Sequence, residues 1–310
     1  MARSPERSPI CVLCPPRSFS SVTVAMLGQH PELFGFPELE LFAAERVADA
    51  LASADALAGH DPSRGMPGLM RTIAYLHDGR DDPAARAAAR AYVEERAAWA
   101  TTDLYRAMLA EVAPRRGIEK SPVTLASDRS LERFCEAFPD AQFLHLTRHP
   151  ATSLGSLQRQ IRHWHEVGGA PWSEASEQAS WTYAAFLWCR AHRRALAFAA
   201  RRPEAVLQVR GEELVSAPRS MAARIADFLE IRSDADALAG VEHPESSWLA
   251  DRPEATGSGM DRLFTAAPSL RCPPAPPAEL VPAAARLSGS WRSKLQELAE
   301  QLGYSSELDA

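Results

Sequence analysis

At 310 residues, with 46% hydrophobic and 24% charged residues, the chain can bury a substantial core and has the composition of a soluble globular protein. A formal net charge of −6 gives no global case for binding nucleic acid or an anionic membrane, so any anion site must be built locally. Five scattered cysteines, no apolar leader over residues 1–9 and no apolar run long enough to span a bilayer point to a reducing, cytoplasmic setting.

In chain order, the apolar run 10–14 is expected as a buried strand. Cys11 and Cys14 lie in it, but residues three apart on a strand face opposite ways, and no second pair completes a zinc site. The polar turn Pro15-Pro-Arg-Ser-Phe-Ser-Ser21 follows, then a helical pattern through Val22, Ala25, Met26 and Leu27 that closes near Gly28 to Pro31. Strand, polar turn and helix open a βαβ unit. Residues 38–113 read as a helical block: 39–57 as one amphipathic stretch, 67–77 as another, and 83–112 as one long helix without internal Gly or Pro.

Residues 116–119 read as a second strand, entering Lys120-Ser-Pro122 and a helix that ends near Phe138-Pro139. Residues 141–147 form the clearest strand, followed by Arg148-His-Pro150 and more helix. Residues 174–201 read as a long helix, 205–209 as a short strand, 218–229 and 287–302 as helices. Residues 253–282 are proline-rich and aperiodic, as in an ordered surface loop or lid. Strands alternating with long helices predict an α/β fold, a parallel sheet covered on both faces, with 38–113 packed over it as a helical insertion and 240–290 as a lid region. We expect a single domain over residues 1–310.

Each polar loop stands at the carboxyl end of an expected strand, where open α/β sheets bind ligands. The first places Arg17, Ser18, Ser20 and Ser21 where a helix begins, and free backbone N–H groups there favour an anion. It lacks the glycines and the Gly-Lys-Ser/Thr ending of a Walker loop. A serine cap beside a surface arginine would look similar. The second loop holds Arg148, with Ser156 about two helical turns further on; the two share an anion only if the chain turns back after Pro150. The third holds Lys120, with Pro122 near a first helical turn. We find no carboxylate cluster with Mg²⁺ spacing. His163 and His165 fall in helix or loop, His149 belongs to the turn before Pro150, and no metal site is assigned.

Together these loops resemble the family of sulfotransferases that use 3′-phosphoadenosine 5′-phosphosulfate (PAPS), in the branch of protein-tyrosine and bacterial small-molecule enzymes. Pro16-Arg-Ser-Phe-Ser-Ser21 followed by His30-Pro-Glu-Leu-Phe-Gly-Phe-Pro-Glu38 resembles its 5′-phosphosulfate loop and acidic segment. Lys120-Ser-Pro122, then Phe138-Pro-Asp-Ala-Gln-Phe-Leu-His-Leu-Thr-Arg-His-Pro150 with Ser156, resembles its lysine segment and 3′-phosphate motif. Gly211-Glu-Glu-Leu-Val215 with Pro218 and Asp227-Phe-Leu229 resembles a segment the family usually writes Tyr-Glu-Asp-Leu. The likeness runs over roughly residues 10–230, in the family's order. Two residues depart from it. Phe19 stands where the family has Gly, and is expected in ordinary helical geometry with its ring packed inward. Gly211 replaces the usual Tyr. Residues 286–292 resemble the nucleotide-closing segment only loosely, and through it Ser288 or Ser290 would touch the donor.

The resemblance implies a P-loop-like sheet and in-line transfer of a sulfo group from PAPS to an acceptor hydroxyl, releasing 3′,5′-bisphosphoadenosine (PAP). It assigns Glu38 as general base, with Glu40 as the alternative, and Arg17 and Lys120 to the charge on the leaving phosphate. It gives the 5′-phosphate to the segment Ser18, Phe19, Ser20, Ser21 and Val22, and the 3′-phosphate to Arg148 and Ser156. A small-molecule or acyl-carrier-bound hydroxyl acceptor is expected, with no nucleic-acid partner. The competing readings are a P-loop kinase, which lacks its motif here, and a non-catalytic protein that keeps a PAP pocket.

Overall fold

The computed structural model describes residues 8–58, 65–167, 171–251, 257, 259–270 and 287–304. Five short strands form one sheet: β1 (Ile10–Leu13), β2 (Leu33–Gly35), β3 (Arg116–Glu119), β4 (Gln142–Thr147) and β5 (Val206–Arg210). They pair in the order β2-β3-β1-β4-β5, and all the pairings are parallel. Register sets Cys11 opposite Glu119 and Leu13 opposite His145, so the carboxyl ends of β3, β1 and β4 open side by side. The chain leaves β1 toward β2 on one side and later returns to place β4 on the other. That reversal of strand order makes a crevice at these carboxyl ends.

Both faces of the sheet are covered, as continuous apolar strands require. Ile10 and Val12 point into a core shared with α1 (Ser20–Leu27), through Val24 and Met26, and with residues such as Leu214 and Ile225. Cys11 and Leu13 point into the opposite core with Phe34, Phe134, Phe143 and Phe198. This second core is capped by four helices, α2 (Val47–Ala58), α3 (Pro67–Asp78), α4 (Pro83–Glu94) and α5 (Thr101–Val112), joined by α6 (Asp128–Ala137).

Next come α7 (Pro150–Val167) and α8 (Glu174–Arg201), then α9 (Gly211–Ser216), α10 (Pro218–Leu229), the short α11 (Arg262–Ala266) and α12 (Gly289–Gln301). A third apolar cluster joins α7, α8 and α12 through Leu157, Trp188 and Leu298. Ser173 caps α8 by accepting a hydrogen bond from the Ser176 N–H, which fixes where the helix starts. No helix among the described residues is long and apolar enough to cross a membrane.

Two expectations within residues 38–113 are corrected. The stretch 83–112 is two helices, because residues 97–99 bend away to serve other partners. The Ala97 and Trp99 carbonyls accept from the Ala48 and Val47 amides at the start of α2, and the Thr101 amide donates to the Glu45 carbonyl. Tertiary hydrogen bonding here overrides alanine's helix propensity. The stretch 39–57 likewise breaks into a 3₁₀ turn, Leu41–Ala43, and α2. Most of the proline-rich stretch 253–282 lies outside the described residues; its described part carries α11.

Candidate functional site

The turn from β1 to α1 is tightly wound. Arg17 and Phe19 both take positive φ, 69° and 64°, so two residues with side chains occupy the left-handed region within three positions. Such geometry costs roughly 1–2 kcal/mol per residue, and it persists where surrounding contacts over-determine it. Phe19 therefore departs from the ordinary helical geometry expected of it: it is the left-handed N-cap of α1. Its ring does pack inward. A Cβ placed on Gly211 would lie 2.3 Å from Phe19 Cδ2, so the ring fills the space beside Gly211. The two departures from the family pattern are thus one steric exchange: a large side chain at 19 is matched by none at 211.

The wound turn brings the three polar loops into contact. Arg17 Nε donates to Ser156 Oγ at 2.9 Å, from the first loop to the second helical turn of α7. Arg148 Nη1 donates to the Arg17 carbonyl at 2.8 Å, and its Nε to Thr152 Oγ1 at 3.2 Å. Pro150 opens α7 without a reversal, so Ser156 joins the cluster through Arg17 rather than by the chain turning back. Burial pulls the Arg148 guanidinium down to about 10, still charged at neutral pH.

Lys120, immediately after β3, is fully buried. Its Nζ donates to Ser21 Oγ at 3.1 Å and to Glu38 Oε1 at 2.8 Å. Glu38 follows β2, and its backbone is held between two glycines. Its amide donates to the Gly259 carbonyl, and a Cβ on Gly68 would lie 2.1 Å from the Glu38 carbonyl oxygen. Glu40 has φ 58° and its amide donates to Ser121 Oγ, whose hydroxyl donates to Glu119. Burial, then the Glu38 carboxylate, raises Glu40 to about 7 against the pull of Lys120. Burial raises Glu119 to about 7 as well, opposed first by the Ser121 hydrogen bond.

Ser18, Ser20, Ser21 and Val22 are all buried where α1 begins, and the first i→i−4 bond of that helix comes from Thr23. The amides ahead of it are the donors that a helix leaves to a ligand. Ser18 Oγ is fully buried with no hydrogen-bond partner among the described residues. An orphaned hydroxyl, helix-start amides, two arginines and a lysine suit a polyanion. Cys14, at the floor of the loop, is pushed up to about 12 by burial, so its thiol stays protonated and unreactive.

Four contacts at this cluster lay outside the sequence reading. Asp261 Oδ1 lies 2.7 Å from Arg17 Nη1, and the Asp261 amide donates to Ser21 Oγ. Glu212 Oε1 accepts from the His149 amide and Glu212 Oε2 from the Tyr304 hydroxyl, which tethers the turn after β4. Glu212 stands inside a segment that was singled out, whereas Asp261 and Tyr304 carry no periodic or motif signal. Ser288 and Ser290 are exposed at the start of α12 and bond each other, and no hydrogen bond joins them to the described cluster. A cavity of about 650 Å³ opens at the amino ends of the strands, lined by Ser8, Arg116, Gln142 and Arg202, at the edge opposite these loops.

Comparisons with known proteins find the same fold. A sulfotransferase domain from the curacin biosynthetic pathway superposes with a TM-score of 0.72 at 22% identity, covering 96% of this chain and 98% of its own. One from the Synechococcus PCC 7002 olefin synthase gives 0.70 at 24% identity, covering 98% of each chain. A Mycobacterium avium sulfotransferase gives 0.51 at 17% identity, covering 99% of this chain and 78% of its own. At these identities the likeness shows the fold. No curated protein sequence matches the chain. The sequence profile of the sulfotransferase family, however, matches residues 9–235, most of the chain and the loops that hold Arg17, Lys120 and Arg148, and the chain belongs to that family.

Proposed function

We propose that this sulfotransferase takes its sulfo group from PAPS and passes it to a hydroxyl of a small-molecule or carrier-bound acceptor, releasing PAP. The observation that carries the reading is the Arg17–Ser156 hydrogen bond, which joins the loop after β1 to α7 and so gathers two anion-binding loops around one crevice. A donor with phosphate at both the 5′ and 3′ positions matches two such loops; a nucleotide with a single phosphate cluster would use one.

PAPS supplies a sulfo group on a phosphate leaving group; the chain's residues manage the charge and the proton. Ser18, Ser20, Ser21 and the amides at the start of α1 hold the 5′ side, while Arg148 and Ser156 hold the 3′-phosphate. Glu38 accepts the acceptor's hydroxyl proton as the new O–S bond forms. Lys120 and Arg17 meet the negative charge that collects on the phosphate as the old S–O bond breaks. Their burial strengthens that interaction. Both sulfotransferase domains named above come from biosynthetic systems, a curacin pathway and an olefin synthase, which favours a biosynthetic acceptor over a protein side chain.

The test is a thermal-shift comparison of PAP with AMP, followed by PAP release from PAPS with a panel of hydroxyl acceptors. PAP should stabilise the protein more than AMP, and release should require an acceptor. PAP stabilising no better than AMP would sink the reading. Binding of PAP with no transfer to any hydroxyl would instead favour a non-catalytic nucleotide-binding protein.

A further inference from the structure

Phe19 lies where the family carries glycine, and its strained backbone demands a reason. Its ring is held on one side by Gly211, where no side chain stands. Over the ring sits the Arg148 guanidinium, 4.4 Å from the centroid. Two further contacts fix that guanidinium: Nε on Thr152 and Nη1 on the Arg17 carbonyl. Both positive-φ residues of the turn therefore serve Arg148, Arg17 by its carbonyl and Phe19 by its ring. Nη2 makes no hydrogen bond among the described residues, which leaves one edge of the fork for a ligand.

We propose that Phe19 is a positioning residue for the 3′-phosphate: its ring is the platform that orients Arg148, and Gly211 is the space that lets the platform stand there. The proposal rests on the PAPS reading of the site. An aromatic face beneath a guanidinium restricts its rotation without consuming any of its donors, so the fork stays aimed and unsatisfied until an anion arrives. A glycine at position 19 would relieve the backbone and remove the platform together. A side chain at 211 would displace the ring. The pair is thus a coupled solution, and neither residue does the work alone.

The test measures Kd for PAP and for AMP by calorimetry in the wild type, Phe19→Leu and Phe19→Gly. Leucine keeps an apolar side chain but has no aromatic face; glycine suits the left-handed backbone and guards against a variant that fails through strain. We expect PAP to bind about tenfold more weakly in both variants, with AMP changed by less than about twofold. Gly211→Ala should shift the same ratio in the same direction. If either folded Phe19 variant keeps the wild-type preference for PAP, the platform is wrong. If PAP and AMP weaken in parallel, the ring serves the nucleotide generally and the proposal is likewise overturned. A wild type with no preference for PAP would refute the PAPS reading itself, which makes the two failures distinguishable.

Discussion

Lys120 Nζ sits 2.8 Å from Glu38 Oε1, with the lysine side chain sealed from solvent and the carboxylate 32% exposed. The cation proposed to meet the leaving phosphate and the carboxylate proposed to take the proton are thus partners in the free chain. An anionic donor that engages Lys120 competes for this pairing and leaves Glu38 available as a base. The ion pair offsets part of the cost of burying the lysine until then.

Glu38→Gln is accordingly expected to lower kcat by about 10²- to 10⁴-fold while PAP affinity changes little. Lys120→Ala should lower kcat by about 10²-fold or more and weaken PAP as well. Initial rates beside PAP titrations separate the two effects. Full activity in Glu38→Gln together with loss in Glu40→Gln would move the base to Glu40, whose carboxyl is already raised to about 7.

Gly68 governs where Glu38 lies. With a Cβ only 2.1 Å from the Glu38 carbonyl oxygen, Gly68→Ala must push α3 and the Glu38 backbone apart. Misplacing a reacting group by about 1 Å can cost about 10²-fold in rate. The expected result is a kcat loss with PAP affinity retained, since no hydrogen bond among the described residues joins α3 to either anion loop. Equal losses in kcat and PAP affinity would mean that the whole crevice had shifted.

Glu119 makes a prediction about pH. Burial holds its carboxyl at about 7 in the folded chain, against an ordinary value near 4.5. The folded state therefore binds more protons than the unfolded state between those two values. Stability contributed by the neutral acid is full below about 4.5 and is lost as pH rises toward 7, at no more than about 1.4 kcal/mol per pH unit. Melting curves from pH 5 to 7.5 should fall less steeply in Glu119→Gln than in the wild type. An unchanged slope would show that Glu119 is not the group that titrates.

How far these relationships could be read from sequence depends on whether their causes are local. The helix from Glu174 was legible because Ser173 caps it and no Gly or Pro interrupts it. The 141–147 strand was legible because Phe143, Leu144 and Leu146 make a short apolar run closed by the turn before Pro150. The break between α4 and α5 was not, since it is made by amides of residues 47 and 48 reaching across to residues 97–99. Arg17, Lys120 and Arg148 could be named because each follows an expected strand at its carboxyl end, whereas Glu38 was named through the family resemblance. Their union through Ser156 depends on the left-handed turn. Local rules argue against that turn at Phe19; the gap at Gly211 and the guanidinium above the ring select it. Asp261 had no signal because its partner is distant and its own stretch lacks periodicity.

Asp261 stands against Arg17 as an internal anion. The pair is short and partly buried, with side-chain exposures of 14% and 29%. A phosphate approaching Arg17 has to displace or share that carboxylate. Asp261→Asn removes the competing charge and retains the amide that donates to Ser21. Affinity for PAP should rise by about three- to fivefold, matching the modest worth of a partly exposed ion pair. A weaker PAP complex in Asp261→Asn would instead make the carboxylate part of the bound site.

Arg17 links both anion loops, so its effects and those of Ser156 should not be independent. Its guanidinium spans Ser156 Oγ through Nε and Asp261 through Nη1. Lysine keeps the charge, yet a single ammonium on a flexible stem cannot reproduce that fork. Arg17→Lys and Ser156→Ala should each weaken PAP. In the double variant the second change should cost little, because the link is already broken. A double-mutant cycle on PAP affinity should therefore give a coupling of about 1 kcal/mol. Additive losses, within about 0.5 kcal/mol, would mean that the loops bind their phosphates separately and that the Arg17–Ser156 bond only braces α7.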